Sequence, residues 1–194
     1  MKSRATVVIA SVGVCFVLIV ASIAIGTESI SLLTAFNQWR SGAEHGNASE
    51  LNIIMNLRLP RTLLALLAGG GLALAGCAFQ ALLRNPLATP YTLGIDSFAA
   101  LGAYMATVFG AGTAMNLAGF SLVQVAAFAF AAFDVLIIYA MATRARRMSP
   151  LVLLLAGVTL GLLANSGILF LRYLAKPEQL INMDRWLMGG VDLI

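Results

Sequence analysis

Two arginines stand three residues apart in Arg58-Leu59-Pro60-Arg61, directly ahead of a long apolar run. A guanidinium presents a planar fork of donors that matches a carboxylate, and residues three apart share one side of a helix. The pair therefore suits two tasks. It can anchor a helix end at lipid headgroups with the stems laid along apolar surface, or it can receive carboxylates of a partner; the residues alone leave both open. Asp134 is the second feature, a carboxylate inside an apolar stretch, where an unpaired charge costs on the order of 2.5–3.5 kcal/mol on insertion scales. It must face protein or water. An ion or proton relay needs a second ionisable group at similar depth, and none is evident, so a hydrogen bond to Asn165, or to a Ser or Thr, is the expected role. Asp96-Ser97 reads as a helix N-cap, with an acid suited to the positive helix end.

Catalytic chemistry is not written in the chain. His45 is the single histidine and sits beside Glu44 in a polar stretch, the setting of a solvated loop residue rather than a ligand. Metalloprotease, paired-cysteine, nucleophile-elbow and phosphate-loop motifs are all missing from the sequence. Gly69-Gly70-Gly71 lies within an apolar run with no lysine after it, so it reads as helix packing. Cys15 and Cys77 both fall in apolar runs and are expected to be buried free thiols. The expectation is no catalytic residue, no metal site and no cofactor bound by this chain.

The elements that must position these residues follow from composition. Of 194 residues, 60% are apolar and 10% charged, against roughly 45–50% and 25% in a soluble domain. With a mean hydropathy of +0.93, the chain reads as an all-α polytopic membrane bundle, and soluble enzyme folds are excluded. Its net charge of +4 does not point to nucleic acid, because the basic residues lie between apolar runs and act as topology signals. Five spans are expected, at about 5–26, 62–83, 93–109, 122–142 and 150–171, within a single domain over 1–194. The first span, with Lys2 and Arg4 ahead of it, also has the look of a secretory signal, but its apolar stretch is too long for one. Proline at position 60 marks the start of the second span and Arg84-Asn85-Pro86 its end. Small residues recur every four positions at Ala65, Gly69, Ala73, Cys77 and Ala81, and again at Gly157, Gly161 and Asn165, lining faces that another helix can approach.

Orientation rests on basic density. Lys2, Arg4, Arg84, Arg144, Arg146 and Arg147 lie on one side, and Arg40, Arg58, Arg61, Arg172, Lys176 and Arg185 on the other. The counts tie. The dense cluster at 144–147 and the basic start favour an N-terminus in the cytoplasm.

An ordered series of motifs now carries a resemblance. Arg58-Leu59-Pro60-Arg61-Thr62-Leu63, Gly70-Gly71-Leu72-Ala73-Leu74-Ala75-Gly76, Gln80, Arg84-Asn85-Pro86-Leu87-Ala88-Thr89-Pro90 and Leu93-Gly94-Ile95 resemble the FecCD-type permeases, membrane subunits of binding-protein-dependent ABC importers for iron-siderophores, haem and cobalamin. Leu153 to Val158 and Trp186-Leu187-Met188-Gly189-Gly190 continue the likeness in order. The resemblance implies the first half of a ten-helix type II importer permease in a bacterial inner membrane. It implies a second permease subunit, a cytoplasmic ATPase that hydrolyses ATP, a periplasmic or lipoprotein substrate-binding protein and an iron chelate as cargo. It casts Arg58 and Arg61 as docking residues for the binding protein. The turns at Asn85-Pro86-Leu87 and Ser149-Pro150-Leu151 become gate candidates on the pathway.

Two departures stand out. Phe98 occupies a place where relatives usually have glycine, and the sequence ends after the first half, before the segment that grips the ATPase in relatives. The chain alone is accordingly expected not to transport. Two other readings remain at this point: a secondary transporter or channel using Asp134, and a non-transporting truncated membrane protein.

Overall fold

In the computed structural model, residues 2–26, 31–41, 50–110, 116–117, 120–144 and 149–189 are described. His45, Arg146, Arg147 and Gly190 lie outside them. The chain divides into two compact units, the described residues up to Gly70 falling in one and those from Gly71 to Gly189 in the other, and each is taken by itself.

The first unit contains α1 (Lys2–Ala24), α2 (Leu32–Ser41), α3 (Glu50–Ile53), a π-helical turn (Ile54–Arg58) and the start of α4 (Leu59–Leu83). The expected helix start near Thr62 gives way to a run continuous from Glu50 to Leu83. Proline at position 60 lacks an N–H, and its ring would meet the carbonyl four residues back. The π turn resolves that conflict in advance: the Leu59 N–H bonds to Ile54 O, five residues back, which widens the helix immediately before the ring. Asn56 Nδ2 donates to Asn52 Oδ1 across the same turn.

In the second unit α4 ends at Leu83, and Arg84 adopts a left-handed φ of 48°. The Asn85 N–H then reaches back to Gln80 O at 3.2 Å, a Schellman-type closure in which arginine holds the place usual for glycine. Residues 85–94 form a tied loop. Asn85 Oδ1 accepts from the Leu87 N–H at 3.0 Å. Thr89 and Thr92 exchange bonds, each backbone N–H donating to the other's hydroxyl, at 3.0 and 3.2 Å. A 3₁₀ turn over Tyr91–Leu93 and a left-handed Gly94 lead into α5 (Ile95–Phe109).

The rest of this unit is α6 (Leu122–Arg144), α7 (Pro150–Leu174) and α8 (Pro177–Leu187), with a short antiparallel ladder of β1 (Asn116–Leu117) and β2 (Phe120–Ser121) ahead of α6. Helix α5 packs mainly on α6 and then on α7. The buried centre is Ala103, Tyr104, Ala127, Leu171 and Met183. Among the described residues, four helical runs, Ala5–Ala24, Glu50–Leu83, Leu122–Arg144 and Pro150–Leu174, are long and apolar enough to cross a membrane, and α5 is a shorter apolar helix. Its 15 residues span only about 22 Å, less than a hydrocarbon core of about 30 Å.

Some local expectations are corrected. Gly94, not Asp96, is the N-cap of α5, and Asp96 sits within the first turn without capping it. Cys15 and Cys77 are exposed rather than buried, because α1 and α4 present apolar surfaces that the described residues do not cover. The polar stretch after Arg172, to which the expected spans assign no element, holds α8, a helix started by Pro177 and by Gln179, whose Oε1 accepts from the Lys176 N–H at 2.8 Å. Phe98 is buried, with its ring centroid 6.4 Å from that of Phe133.

Candidate functional site

The paired arginines sit where α1 ends. Arg58 closes the π turn, and its Nη1 donates to Ile23 O at 2.8 Å and to Ala24 O at 3.1 Å. These are the last carbonyls of α1, which have no partner within their own helix, and a cation there also complements the negative helix end. Gly26 makes room for this arrangement, since a Cβ added there would lie 2.6 Å from Arg58 Nη2. Thr62 follows one turn later, its hydroxyl donating to Arg58 O at 2.8 Å and lying 3.2 Å from Ser22 Oγ. Arg58, Arg61, Thr62 and Ala65 follow helical spacing and, with Ser22 and Gly26, border an open cleft of about 400 Å³. Arg61 is exposed and Arg58 half-buried. The two arginines are thus brought to one cleft with different tasks, Arg58 tying two helix ends and Arg61 presented at the surface. That division depends on where α1 stops, which spacing alone does not encode.

The gate candidates occupy two turns. Asn85, Pro86 and Leu87 form the tied turn after α4, with Leu87 exposed. Ser149 is the N-cap of α7, with extended backbone and its hydroxyl accepting from the Val152 N–H at 3.4 Å; Pro150 is the first helical residue, and Leu151 is exposed. Replacing Ser149 by Ala removes this acceptor and is expected to lower stability by about 1 kcal/mol, with Ser149→Asp retaining it. Thermal unfolding in detergent checks the order wild type and Asp above Ala.

The two small-residue stripes differ. Gly157 and Gly161 on α7 meet the loop ahead of α5: a Cβ added at Gly157 would lie 2.7 Å from Leu93 Cα, and one at Gly161 would lie 3.2 Å from Gly94 Cα. Ala65, Gly69 and Ala73 on α4 are exposed, and a Cβ at Gly69 would meet nothing within 4 Å among the described residues.

Asp134 and Asn165 are not paired, contrary to the expected hydrogen bond. Asn165 Nδ2 donates to Ser97 Oγ at 3.3 Å. Asp134 has no exposed surface, and neither of its carboxyl oxygens has a hydrogen-bond partner. Sequence reasoning also passed over Gln179. Its Nε2 donates to Thr107 O at 3.0 Å and Val108 O at 3.2 Å, so one amide starts α8 and ties it to the last turn of α5. The signal was present in Pro177 with Gln179 two positions on, at the head of an amphipathic segment. Arg172 and Asp184 add an exposed ion pair at 2.6 Å between α7 and α8.

Long apolar helices that pack through glycine-mediated contacts are the features of a multi-pass membrane protein. The FecCD transport family matches residues 14–194, and the chain belongs to that family. It is 37% identical over 158 residues to the vitamin B12 import system permease protein BtuC of Salmonella paratyphi A, covering 81% of this chain and 47% of that protein. It is 35% identical over 181 residues to YvrB, an uncharacterized ABC transporter permease protein of Bacillus subtilis, covering 90% and 50%. Among solved structures it is similar to a metal-chelate-type ABC transporter in an inward-facing conformation, with a TM-score of 0.72, 27% identity and coverage of 95% of this chain and 53% of that one. The chain spans about half the length of the relatives it matches.

Proposed function

We propose that this chain supplies half of a permease subunit in a binding-protein-dependent ABC importer for a metal chelate. The observation that carries the proposal is the family match across residues 14–194, supported by the arginine-lined cleft at the end of α1. The subunit pairs with a second permease subunit around the pathway. A separate cytoplasmic ATPase hydrolyses ATP, and a periplasmic or lipoprotein binding protein delivers the cargo. The setting is a bacterial inner membrane, with the N-terminus on the cytoplasmic side by the density of basic residues. The turns at Asn85-Pro86-Leu87 and Ser149-Pro150-Leu151 line its narrow end.

Iron-siderophore is the cargo taken first, on its frequency among FecCD-type importers, since the motifs themselves do not separate siderophore, haem and cobalamin. Cobalamin is the second reading, favoured by the likeness to vitamin B12 permeases. Competition between a labelled ferric siderophore and labelled cyanocobalamin for uptake, with the cognate ATPase and binding protein present, separates the two.

In this reading Arg61 receives an acidic side chain of the binding protein, while Arg58 holds the end of α1 beside it. Arg61→Glu in the assembled permease is expected to weaken binding-protein association at least tenfold, about 1.4 kcal/mol, with the wild-type affinity itself falling as salt rises. Unchanged affinity in Arg61→Glu sinks the docking assignment. Arg58→Ala is expected to lower the thermal midpoint as well as affinity, because it leaves carbonyls of α1 without their donor.

A further inference from the structure

We propose that Asp134 is a proton-binding site, a carboxylic acid held neutral where α6 packs against α5. Among the described residues it is the only charged-type side chain that is fully buried, and both its oxygens lack a hydrogen-bond partner. An ionised carboxylate in that condition is far costlier than a neutral one, because it forfeits its hydration and gains no donor in return. The groups around it offer no counter-charge. The one charged residue of α5 is Asp96, an acid of the same sign. On α7 no charged residue precedes Arg172, and the next on α6 is Arg144, ten positions on and about 15 Å along the axis. The amide of Asn165 on α7 is committed to Ser97 Oγ.

The packing also restricts what could serve as a partner. With no exposed surface, Asp134 cannot be reached by a side chain from elsewhere unless α5 and α6 separate. Those helices meet closely: a Cβ added at Gly102 would lie 2.5 Å from Ala126 O and 2.8 Å from the Phe130 side chain. Phe130 and Asp134 are four apart and share one face of α6. Phe133 is adjacent and packs on Phe98. A proton needs no room, whereas a lysine, an arginine or a hydrated cation does. The neutral acid is therefore the form compatible with the closed helix pair, and ionisation requires water to enter beside α6.

Infrared spectroscopy of the full chain in lipid nanodiscs at neutral pH tests this. The difference between wild type and Asp134→Asn is expected to show loss of the C=O stretch of a protonated carboxylic acid. That band should shift when aspartate is carbon-13 labelled and persist in Asp96→Asn. Loss of ionised-carboxylate bands instead overturns the proposal. Should Asp134→Asn fail to fold, the labelled chain with Asp134 intact decides: absence of any label-sensitive acid band overturns it, and a band that survives Asp96→Asn, Asp184→Asn and Asp192→Asn upholds it.

Discussion

Gly94→Val is expected to abolish recovery of the folded chain. Two independent costs fall on this one position. Gly94 has a φ of 83°, a left-handed conformation that costs an L-residue about 1–2 kcal/mol and a β-branched one more. Its added Cβ would also lie 2.8 Å from Gly161 N and 2.9 Å from Gly157 O. These are backbone atoms of α7, which cannot rotate aside as a side chain can, so the helix must move. Overpacking of this kind costs about 1–3 kcal/mol. The sum, about 2–5 kcal/mol or more, is a large share of a typical folding stability of about 5–15 kcal/mol. The expected result is loss of monodisperse protein in detergent, or a thermal midpoint far below wild type. Gly189→Val provides the control, because Gly189 has a φ of 75° and, among the described residues, nothing within 4 Å of an added Cβ. It carries the backbone cost without the collision. Equal effects at the two positions would refute the packing argument.

The comparison of sequence and structure turns on which features are local. Ser149-Pro150 announces the start of α7, because a hydroxyl cap and a proline in the first turn act through neighbouring backbone alone. Arg84-Asn85-Pro86 likewise announces the end of α4. The continuation of that helix backward through Pro60 was not legible, since proline ordinarily marks a start and the π turn that accommodates it is a change of bonding register rather than of residue type. Helix α8 was overlooked because an 11-residue amphipathic helix looks like a polar loop until the element it covers is known. The fixed partners of Gln179 are the carbonyls of Thr107 and Val108, some seventy positions away.

The site follows the same division. That Arg58 and Arg61 share a side could be read from their spacing, whereas the assignment of Arg58 to Ile23 O and Ala24 O could not. The pairing anticipated for Asp134 and Asn165 failed for a related reason. Periodicity tells which residues share a face of one helix, but the rotation of α6 relative to α7 decides which faces meet. Four-residue spacing of small side chains was equally visible on α4 and α7, and only on α7 do the described residues supply a neighbour. Spacing shows that a close approach is sterically permitted. What makes the approach is set by the tied loop at 85–94.

Gly102→Leu is the second large effect, and it isolates packing from backbone conformation. Gly102 lies in regular α5, where alanine is intrinsically favoured over glycine by about 1 kcal/mol. Propensity therefore predicts a gain from Gly102→Ala. The contact predicts a loss, because even the first added carbon would lie 2.5 Å from Ala126 O on α6. The distance decides in favour of the loss: a carbonyl oxygen of a packed helix yields only if the helix shifts, at about 1–3 kcal/mol, which outweighs the propensity term. Leucine adds branched volume directed at Phe130 and should force α5 and α6 apart, letting water reach the face that holds Asp134. Gly70 on α4 is the contrasting case, helical and with nothing within 4 Å of an added Cβ among the described residues. There propensity acts unopposed, so Gly70→Ala in this chain should equal or exceed wild type. Thermal midpoints in one detergent should rank Gly70→Ala at or above wild type, then Gly102→Ala, with Gly102→Leu lowest. If Gly102→Ala instead rises with Gly70→Ala, α5 and α6 do not touch through Gly102, and the burial of Asp134 behind that contact falls with it.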